Sequence, residues 1–267
     1  MLEPLFPALA RASESVRWAL ADVRWDELRP DLAPPALRAL VREMAFSEHA
    51  TYSATQKFMH AFGADIDFTQ WLSIWFYEET RHPHVLALWL EKLGEPVDDA
   101  FVERGRVSTP FMRSLMGTLV TNVISEVTAA HAYQTMAATV REPVLAAIAT
   151  RISGDEARHA SAFFRYADKR IAASISADRE RLDALKVLHF WLSESGQVTH
   201  PINQMLERLR ASPDGAGHAL RFDLAAVSRR VTRLVGLLVG AHLLTPDDVL
   251  SALKALTART HAGGAVG

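Results

Sequence analysis

The chain has 267 residues, of which 49% are hydrophobic, and this is enough for one sizeable core with small additions. The formal net charge of −2 gives no sign of a nucleic-acid-binding protein or of a polybasic membrane anchor. The absence of cysteine excludes disulfides, zinc–thiolate sites, iron–sulfur clusters and cysteine nucleophiles. Any metal must therefore be held by His, Asp and Glu side chains, which suit iron, manganese or zinc.

The N-terminal sequence has no basic start followed by an apolar run, so it does not resemble a signal peptide. The most apolar stretch, residues 235–244, is too short to cross a bilayer, which requires about 20 residues. We therefore expect a cytoplasmic protein with no membrane span.

Apolar residues recur at helical spacing along the chain, and no run alternates as a strand does, so the sequence predicts an all-α protein. Pro, Gly and Asp mark the helix ends. Thr109 and Pro110 are predicted to open one helix, and Glu142 with Pro143 another. The first five helices are predicted at residues 5–23, 34–63, 66–93, 109–140 and 142–173, with a loop at 95–108.

The C-terminal part is predicted to add helices at residues 178–195 and 202–209, followed by a polar loop at 211–217. A helical pair comes next. Its second member is predicted to be capped by Thr245 in the string Thr-Pro-Asp-Asp. Residues 261–267 are expected to form a disordered tail.

Two five-residue strings in the predicted long helices are nearly the same. Residues 78–82 read Glu-Glu-Thr-Arg-His, and residues 155–159 read Asp-Glu-Ala-Arg-His. The second Glu and the His are three residues apart, so they project from one face of the helix. Two such helices supply ligands for a metal pair, and the known helical-bundle solution adds one Glu from each of two further helices. The motif ligands are Glu79, His82, Glu156 and His159.

Helix geometry selects the two additional glutamates. In antiparallel helices joined by a short turn, residues equidistant from the turn lie at the same depth. Glu48 and Glu79 are almost symmetric about residues 63–65, and Glu126 and Glu156 are symmetric about residues 141–142. Glu43 is the alternative to Glu48, but it would lie about 7.5 Å further along the helix axis.

The acid that precedes each motif Glu has a candidate role as well. A metal-binding His usually donates its other ring N–H to a carboxylate, which fixes the tautomer. We expect Asp155 to serve His82, and Glu78 to serve His159. Arg81 and Arg158 either pair with these acids or are solvated.

The two strings resemble the EENRH and DEKRH motifs of the soluble acyl-carrier-protein desaturases. The context is also similar, because aromatic residues precede the first motif and a single Glu lies on the following helix. The segment from Glu48 to Tyr52 resembles the first ligand segment of that family, and the similarity covers residues 34–171 well.

This resemblance implies a ferritin-like four-helix bundle with additional N- and C-terminal helices. Residues 34–176 would form the bundle, 1–33 an N-terminal helix, 177–260 helices packed on the bundle, and 261–267 the tail. The implied ligands of two iron ions are Glu48, Glu79, His82, Glu126, Glu156 and His159. Glu79 and Glu156 would bridge the ions, and manganese is an alternative in one position.

The family's reaction is the oxygen-dependent insertion of a double bond into an acyl chain on acyl-carrier protein, with electrons from a ferredoxin. The family is typically homodimeric. This chain is shorter than the plant members. It also has Ala129 where the family has a Thr associated with oxygen handling, and Thr128 falls on another face of the helix. The substrate and the reaction outcome are therefore less firmly implied than the fold.

Other polar residues near the motifs have simpler interpretations. His49, His60, His84 and His131 do not share the ligand face and are predicted to be core or surface histidines. Tyr52 and Tyr133 are candidates for a redox tyrosine, as in the related ribonucleotide reductase small subunit, and Trp71 and Trp75 are candidates for electron transfer. For all four aromatic residues, packing in the core is the favoured interpretation.

Three alternative functions use the same features. Bacterioferritin-like iron oxidation has the same ligand pattern, but this chain has roughly a hundred additional residues after the fourth long helix. A metal-stabilised binding protein without turnover is a second alternative. Oxygenation of another small molecule is a third. Small apolar residues beside the ligand positions favour an aliphatic substrate.

Overall fold

The computed structural model describes residues 3–106, 114–193 and 222–263. Within these ranges the secondary structure is helical, and no residue lies in a β-strand. The predicted helix at 202–209, the loop at 211–217 and the Thr109-Pro110 start lie outside the described residues. The α-helices are α1 (Phe6–Val16), α2 (Pro35–Glu48), α3 (Ala50–Ala61), α4 (Ile66–Lys92), α5 (Asp99–Gly105), α6 (Leu115–Thr139), α7 (Pro143–Ala173), α8 (Ala177–Leu192), α9 (Leu224–Val239) and α10 (Pro246–Gly263).

The bundle consists of two helix pairs. Helices α2 and α3 follow one another along α4, and α6 packs along α7. Contacts between α4 and α7 join the two pairs. Because short turns connect α3 to α4 and α6 to α7, each pair is antiparallel. Helix α8 packs on α6, and α9 and α10 pack on α8.

The starts of two long helices are as predicted. Asp65 caps α4, and its carboxylate accepts a hydrogen bond from the Phe68 amide at 3.1 Å. Glu142 caps α7 and accepts from the Val144 and Leu145 amides at 3.3 and 2.7 Å. These side chains satisfy backbone donors that have no partner inside the helix.

The first helix is shorter than predicted. It ends at Val16, because Arg17 adopts an extended conformation with ψ of 131°. Trp18 then enters the protein interior, where 6% of it remains exposed. The prediction of a helix to residue 23 was wrong because burial of Trp18 overrides helical propensity. The chain continues in 3₁₀ turns at Leu20–Asp22, Trp25–Glu27 and Pro30–Leu32.

The predicted helix over residues 34–63 is interrupted at His49. The His49 amide bonds to the carbonyls of Phe46 and Ser47, so the hydrogen-bond ladder shifts by one residue beside Glu48. Gly105 packs against this interruption, and a Cβ at Gly105 would lie 2.8 Å from the His49 Cβ and from the Phe46 carbonyl oxygen. The predicted loop at 95–108 was wrong over residues 99–105, which form α5 and make this contact, whereas residues 107–108 lie outside the described residues.

The ends of the other helices differ less from the predictions. Helix α6 is described from Leu115, with Ser114 as its N-cap. Thr245 caps α10 as predicted, with its hydroxyl accepting from the Asp248 amide at 3.2 Å. Helix α10 continues to Gly263, past the predicted start of the tail at residue 261, and residues 264–267 lie outside the described part.

Two apolar clusters fill the bundle on either side of the motif residues. One contains Phe58, Trp71 and Phe163, and the other contains Trp89 and Tyr133. The level between them is occupied by buried carboxylates and histidines. No helix in the described ranges is long and apolar enough to cross a membrane.

Candidate metal centre

The structure brings the six predicted ligands together in the bundle interior. They form two groups, within each of which the potential ligand atoms lie no more than 4.8 Å from one another. Glu79 and Glu156 belong to both groups, which is the arrangement expected of residues between two ions. The groups are Glu48, Glu79, His82 and Glu156, and Glu79, Glu126, Glu156 and His159.

The choice between Glu48 and Glu43 is clear in the geometry. Glu48 lies at the end of α2 within one of the two groups, and Glu43 belongs to neither. The helical interruption at His49 follows Glu48 directly. The carboxylate of Glu48 accepts a short hydrogen bond from the hydroxyl of Tyr133 on α6.

Both motif histidines point Nδ1 toward the carboxylates. His159 Nδ1 lies 2.8 Å from Glu79 Oε1 and 3.3 Å from Glu156 Oε2. His82 Nδ1 lies 3.4 Å from Glu156 Oε1 and 3.8 Å from Glu48 Oε2. The two imidazoles therefore face opposite ends of one carboxylate cluster, with ring centroids 6.1 Å apart.

The outer nitrogen of each imidazole meets an acid from the other motif helix. His82 Nε2 lies 3.2 Å from Asp155 Oδ2, and His159 Nε2 lies 2.9 Å from Glu78 Oε2. These are the pairs expected from the sequence. A carboxylate oxygen can only accept here, so Nε2–H donates the hydrogen bond to the acid, which leaves Nδ1 to face a metal.

Two arginines surround these outer acids. Arg81 Nη2 lies 3.6 Å from Asp155 and 3.9 Å from Glu78, and Arg158 contacts both acids as well. Burial alone would raise the pKa of Asp155, but the hydrogen bond and charge of His82, with smaller contributions from His159 and Arg158, hold it at about 2. Burial likewise opposes ionisation of Glu78, but the hydrogen bond and charge of His159 lower its pKa below the usual value, so both acids remain ionised at neutral pH.

Within the cluster the charges oppose one another. Burial works against protonation of His82 and His159, but the surrounding carboxylates raise the pKa of both well above 6.5. Burial, followed by the charges of Glu79 and Glu126, raises the pKa of Glu156 well above its usual value. In the metal-free protein, His82, His159 and Glu156 therefore retain protons. These protons offset negative charge of the cluster that bound metal cations would otherwise offset.

The donor set fits a pair of divalent ions. His82 Nδ1 is buried and has no hydrogen bond of good geometry among the described residues, although carboxylate oxygens surround it. A buried polar atom without a partner is costly unless it binds a ligand. Each of the two ligand groups offers one imidazole and three carboxylates. Ligands of these types suit iron or manganese.

Two further side chains hold the cluster carboxylates. The Thr51 hydroxyl donates to Glu79 Oε2 at 2.9 Å, and the Trp75 indole N–H donates to Glu126 Oε1 at 3.1 Å. Trp71 instead packs in the aromatic part of the core, edge-on to Phe163. The sequence predicted Trp75 to be a core aromatic residue, with electron transfer as the alternative, and did not indicate its hydrogen bond to Glu126.

Trp18 is the residue that sequence reasoning missed. Its indole N–H donates to Asp155 Oδ2 at 2.8 Å, and its carbonyl accepts from Arg81. The guanidinium of Arg81 also lies 4.8 Å from the centre of the Trp18 ring. Because 137 residues separate Trp18 from Asp155, no local pattern in the sequence signals this contact.

A cavity of about 180 Å³ opens beside the cluster, between α3 and α6. Its lining includes all four cluster carboxylates, together with small residues such as Ala54, Ala129 and Ala132. Thr128 also reaches this lining, and its hydroxyl donates to the Ile124 carbonyl. We call this space the inner cavity.

The other candidate residues are placed outside the two groups. His49, His60, His84 and His131 belong to neither group. Tyr52 is 40% exposed, whereas Tyr133 is buried against Glu48, and burial with the charge of Glu48 raises the pKa of Tyr133 well above 10. Tyr133 is therefore a protonated hydrogen-bond donor.

Comparison with known proteins gives structural neighbours only. No family model matches the chain, and no curated protein matches it significantly. Similar solved structures include two variants of an R2-like ligand-binding oxidase, described with aerobically reconstituted Mn/Fe and Fe/Fe cofactors. Their TM-scores are 0.58 and 0.59, with 16% and 15% identity, and each match covers 91% of this chain and 94% of the other.

A third structure of an R2-like ligand-binding oxidase, with its metal cofactor after photoconversion, has a TM-score of 0.58 at 13% identity. At these identities the similarity establishes the fold. The predicted all-α, ferritin-like bundle with additional helices is therefore confirmed, and the predicted ligands lie together inside it.

Proposed function

We propose that this protein is an oxygen-activating oxidoreductase with a carboxylate-bridged metal pair. The two overlapping ligand groups, which share Glu79 and Glu156 and adjoin the inner cavity, carry the proposal. The Mn/Fe and Fe/Fe cofactors described for the structural neighbours support two irons, or manganese with iron, as the metals. When bound, such a pair supplies the redox chemistry needed to reduce dioxygen.

The proposed ligands are Glu48, Glu79, His82, Glu126, Glu156 and His159. The protein's own part in the reaction is to orient and enclose them. Asp155 and Glu78 fix the tautomers of the two histidines, and Thr51 and Trp75 fix the orientation of Glu79 and Glu126. Tyr133 holds a proton next to Glu48.

We further propose an aliphatic acyl chain as the substrate in the inner cavity. Besides the carboxylates that would hold the metals, its lining includes Met44, Ala54, Ala129 and Ala132, which offer a hydrocarbon chain a small apolar surface. By resemblance to the desaturases, the chain would be carried by acyl-carrier protein, electrons would come from a ferredoxin-type donor, and the protein would be a homodimer. Desaturation removes two hydrogens from the chain, and with two electrons and two protons from outside it converts O2 to two waters.

The first test is metal quantification in purified protein after anaerobic loading with ferrous iron, with and without manganese. We expect one metal pair per chain. Protein that takes up no metal under these conditions, or that stores many irons per chain, would contradict the proposal.

The second test measures O2 consumption with a chemical reductant, with saturated acyl substrates on carrier protein, and identifies the products by mass spectrometry. Ala129→Leu would narrow the inner cavity, so we expect it to reduce substrate-dependent O2 consumption at unchanged metal content. Ala87→Leu, outside this cavity, is the matched control. If both variants retain wild-type turnover, the substrate does not occupy the inner cavity.

A further inference from the structure

Three readily oxidised side chains follow one another from the metal centre toward one end of the bundle. They are Trp75 and Trp71 of α4 and Tyr166 of α7, and each is at most 3% exposed. In a protein without cysteine, tryptophan and tyrosine are the aromatic side chains that most readily give up an electron. We call these three residues, with the intervening Phe163, the aromatic row.

Trp75 is the member of the aromatic row that adjoins the metal centre. Its indole N–H donates to Glu126 Oε1 at 3.1 Å, and its ring lies edge-on to the imidazole of His159, with centroids 6.4 Å apart. It therefore lies beside two proposed ligands of the same group. A carboxylate that accepts from an indole N–H also stabilises the positive charge that oxidation would leave on the ring.

Phe163 connects Trp75 to Trp71. The centroid of its ring lies 5.6 Å from that of Trp75 and 4.8 Å from that of Trp71. The ring of Trp71 in turn lies 5.5 Å from that of Tyr166. Aromatic rings in contact have centroids about 4.5–7 Å apart, so successive rings of the row touch. An electron can pass along such a row without a mobile carrier.

Tyr166 ends the aromatic row beside a second cavity, of about 230 Å³. The lining of this cavity includes the exposed residues Asp65 and Ala173, so it reaches solvent. The Tyr166 hydroxyl donates to the Asp67 carbonyl at 3.0 Å, and burial, followed by the charge of Asp67, raises the pKa of Tyr166 above its usual value. The phenol therefore keeps its proton until the ring is oxidised. We call this cavity the end pocket.

Trp18 offers a less favourable route for an electron. Its ring lies between the guanidiniums of Arg81 and Arg151, whose carbons are 4.8 and 5.7 Å from its centre. Positive charge beside a ring opposes the removal of an electron from it. Within the described ranges, no guanidinium or ammonium lies over the ring of Trp71 or Trp75. Oxidation is therefore easier along the aromatic row.

We propose that the aromatic row carries oxidising equivalents away from the metal centre when the centre reacts with O2 in the absence of substrate. One electron passes from Tyr166 through Trp71 and Trp75 to the metal centre, and the phenol proton passes to water in the end pocket. A one-electron reductant of the ascorbate type then returns one electron and one proton to the tyrosyl radical. The proposal rests on the proposed function, because it requires oxidation at the metal centre.

The first test uses the metal-free protein, so its readout does not depend on the reaction with O2. Azide radicals produced by pulse radiolysis oxidise tryptophan selectively, and absorbance then follows the transfer of oxidation to tyrosine. We expect Tyr166→Phe to remove one first-order component of this transfer, and Trp71→Phe to remove the same component. Tyr52→Phe, which changes an exposed tyrosine outside the aromatic row, should leave that component unchanged.

The second test loads the protein with ferrous iron anaerobically, adds O2 and ascorbate without substrate, and maps oxidised residues by mass spectrometry. We expect ascorbate to protect Trp71 and Trp75 in the wild-type protein. In Tyr166→Phe this protection should be lost, and oxidised Trp75 should accumulate several times faster. Absorbance of the same samples follows the oxidation of the ferrous ions and shows independently whether the metal centre reacts.

A matched control separates electron transfer from packing. Phe68 touches both Trp71 and Tyr166, with centroids 5.7 and 4.9 Å away, but it is not readily oxidised. Phe68→Leu should therefore leave the radical transfer and the protection by ascorbate unchanged. Circular dichroism establishes that each variant is folded.

Three results would overturn the proposal. The first is iron that reacts with O2 while Tyr166→Phe matches the wild-type protein in both tests, which leaves the proposed function intact. The second is loss of protection in Trp18→Phe but not in Trp71→Phe, which would place the route on the other side of the centre. The third is ferrous iron that does not react with O2, which would overturn the proposed function and the protective role together.

Discussion

The His82 half and the His159 half of the candidate metal centre have matching ligands but different surroundings. In the His159 half, Glu126 lies on an uninterrupted helix, and the Trp75 indole holds it. In the His82 half, Glu48 lies at the end of α2, where the helical ladder is interrupted, and its side chain is 13% exposed. The bundle helices alone build one half, whereas the other half also depends on segments outside the bundle.

Those outer segments contribute specific contacts. Trp18, from the N-terminal segment, donates to the Asp155 carboxylate that orients His82. Helix α5 packs through Gly105 against the interruption beside Glu48. The comparison indicates that additions to a symmetric four-helix core make its two metal positions unequal.

The largest expected effect is on metal content. Glu156 belongs to both ligand groups, so Glu156→Ala should remove the metal pair. Glu48→Ala affects only the His82 group and should leave the metal of the His159 group in place. Metal analysis of both variants tests this difference, and equal losses would show that the two positions bind metal only as a unit.

The outer acids should also differ in their effect. Removing the partner of a metal-binding histidine typically lowers metal affinity about 10- to 100-fold. Asp155→Asn should reach the upper part of this range, because Asp155 also accepts from Trp18 and pairs with Arg158. Glu78→Gln should have the smaller effect. Competition with a chelator measures both affinities, and the reverse order would contradict the inequality of the two halves.

The stability of the metal-free protein and the additional stability from bound metal should depend on pH in opposite ways. The pKa values of His82, His159 and Glu156 are raised in the metal-free protein. Their protonated forms stabilise the fold below the unfolded-state pKa values, and this stabilisation is lost as pH rises through the raised folded-state values.

We therefore expect the Tm of the metal-free protein to fall as the pH rises above the ordinary histidine pKa of 6.5, because its histidines and Glu156 lose protons in that direction. Metal competes with those protons, so the Tm gained on metal binding should increase over the same range. Thermal unfolding at several pH values checks this. A gain that decreases with rising pH would show that the histidines are not ligands.

The smallest expected effect concerns Trp18. Trp18→Phe retains the ring but removes the hydrogen bond to Asp155, so the free energy of unfolding should fall by about 1 kcal/mol. Trp25→Phe is the matched control, because Trp25 packs on Lys92 instead. Chemical denaturation compares the two. If they are equal, the contact of Trp18 with Asp155 contributes nothing to stability.

Much of the bundle could be predicted from the sequence because its determinants are local. Helical periodicity, the Asp65 and Glu142 caps and the two motifs are each contained in a short window. The depth argument for Glu48 and Glu126 also required only turn positions and helix rise. That argument predicted both residues at the level of the motif ligands, and in the structure each belongs to one of the two ligand groups.

The remaining features depend on contacts between distant segments. The end of α1 at Val16 follows from burial of Trp18 against α7, and the interruption at His49 is packed by Gly105 from a separate helix. A cavity lined by Glu48 and Glu79 likewise depends on where α5 lies, because Val102 of that helix also lines it. Periodicity within one helix contains no information about these contacts.

The cap of α7 also has a consequence for local unfolding. The buried carboxylate of Glu142 accepts from the Trp89 indole at 2.8 Å and from the Arg29 amide at 3.0 Å, besides the two amides of its own helix. One side chain thus links the N-terminal segment, α4 and α7. The Arg29 amide should therefore exchange with solvent deuterium as slowly as amides near the start of α7, although it lies in an irregular segment. The segment that carries Trp18 to the metal centre would then open only when the bundle itself opens.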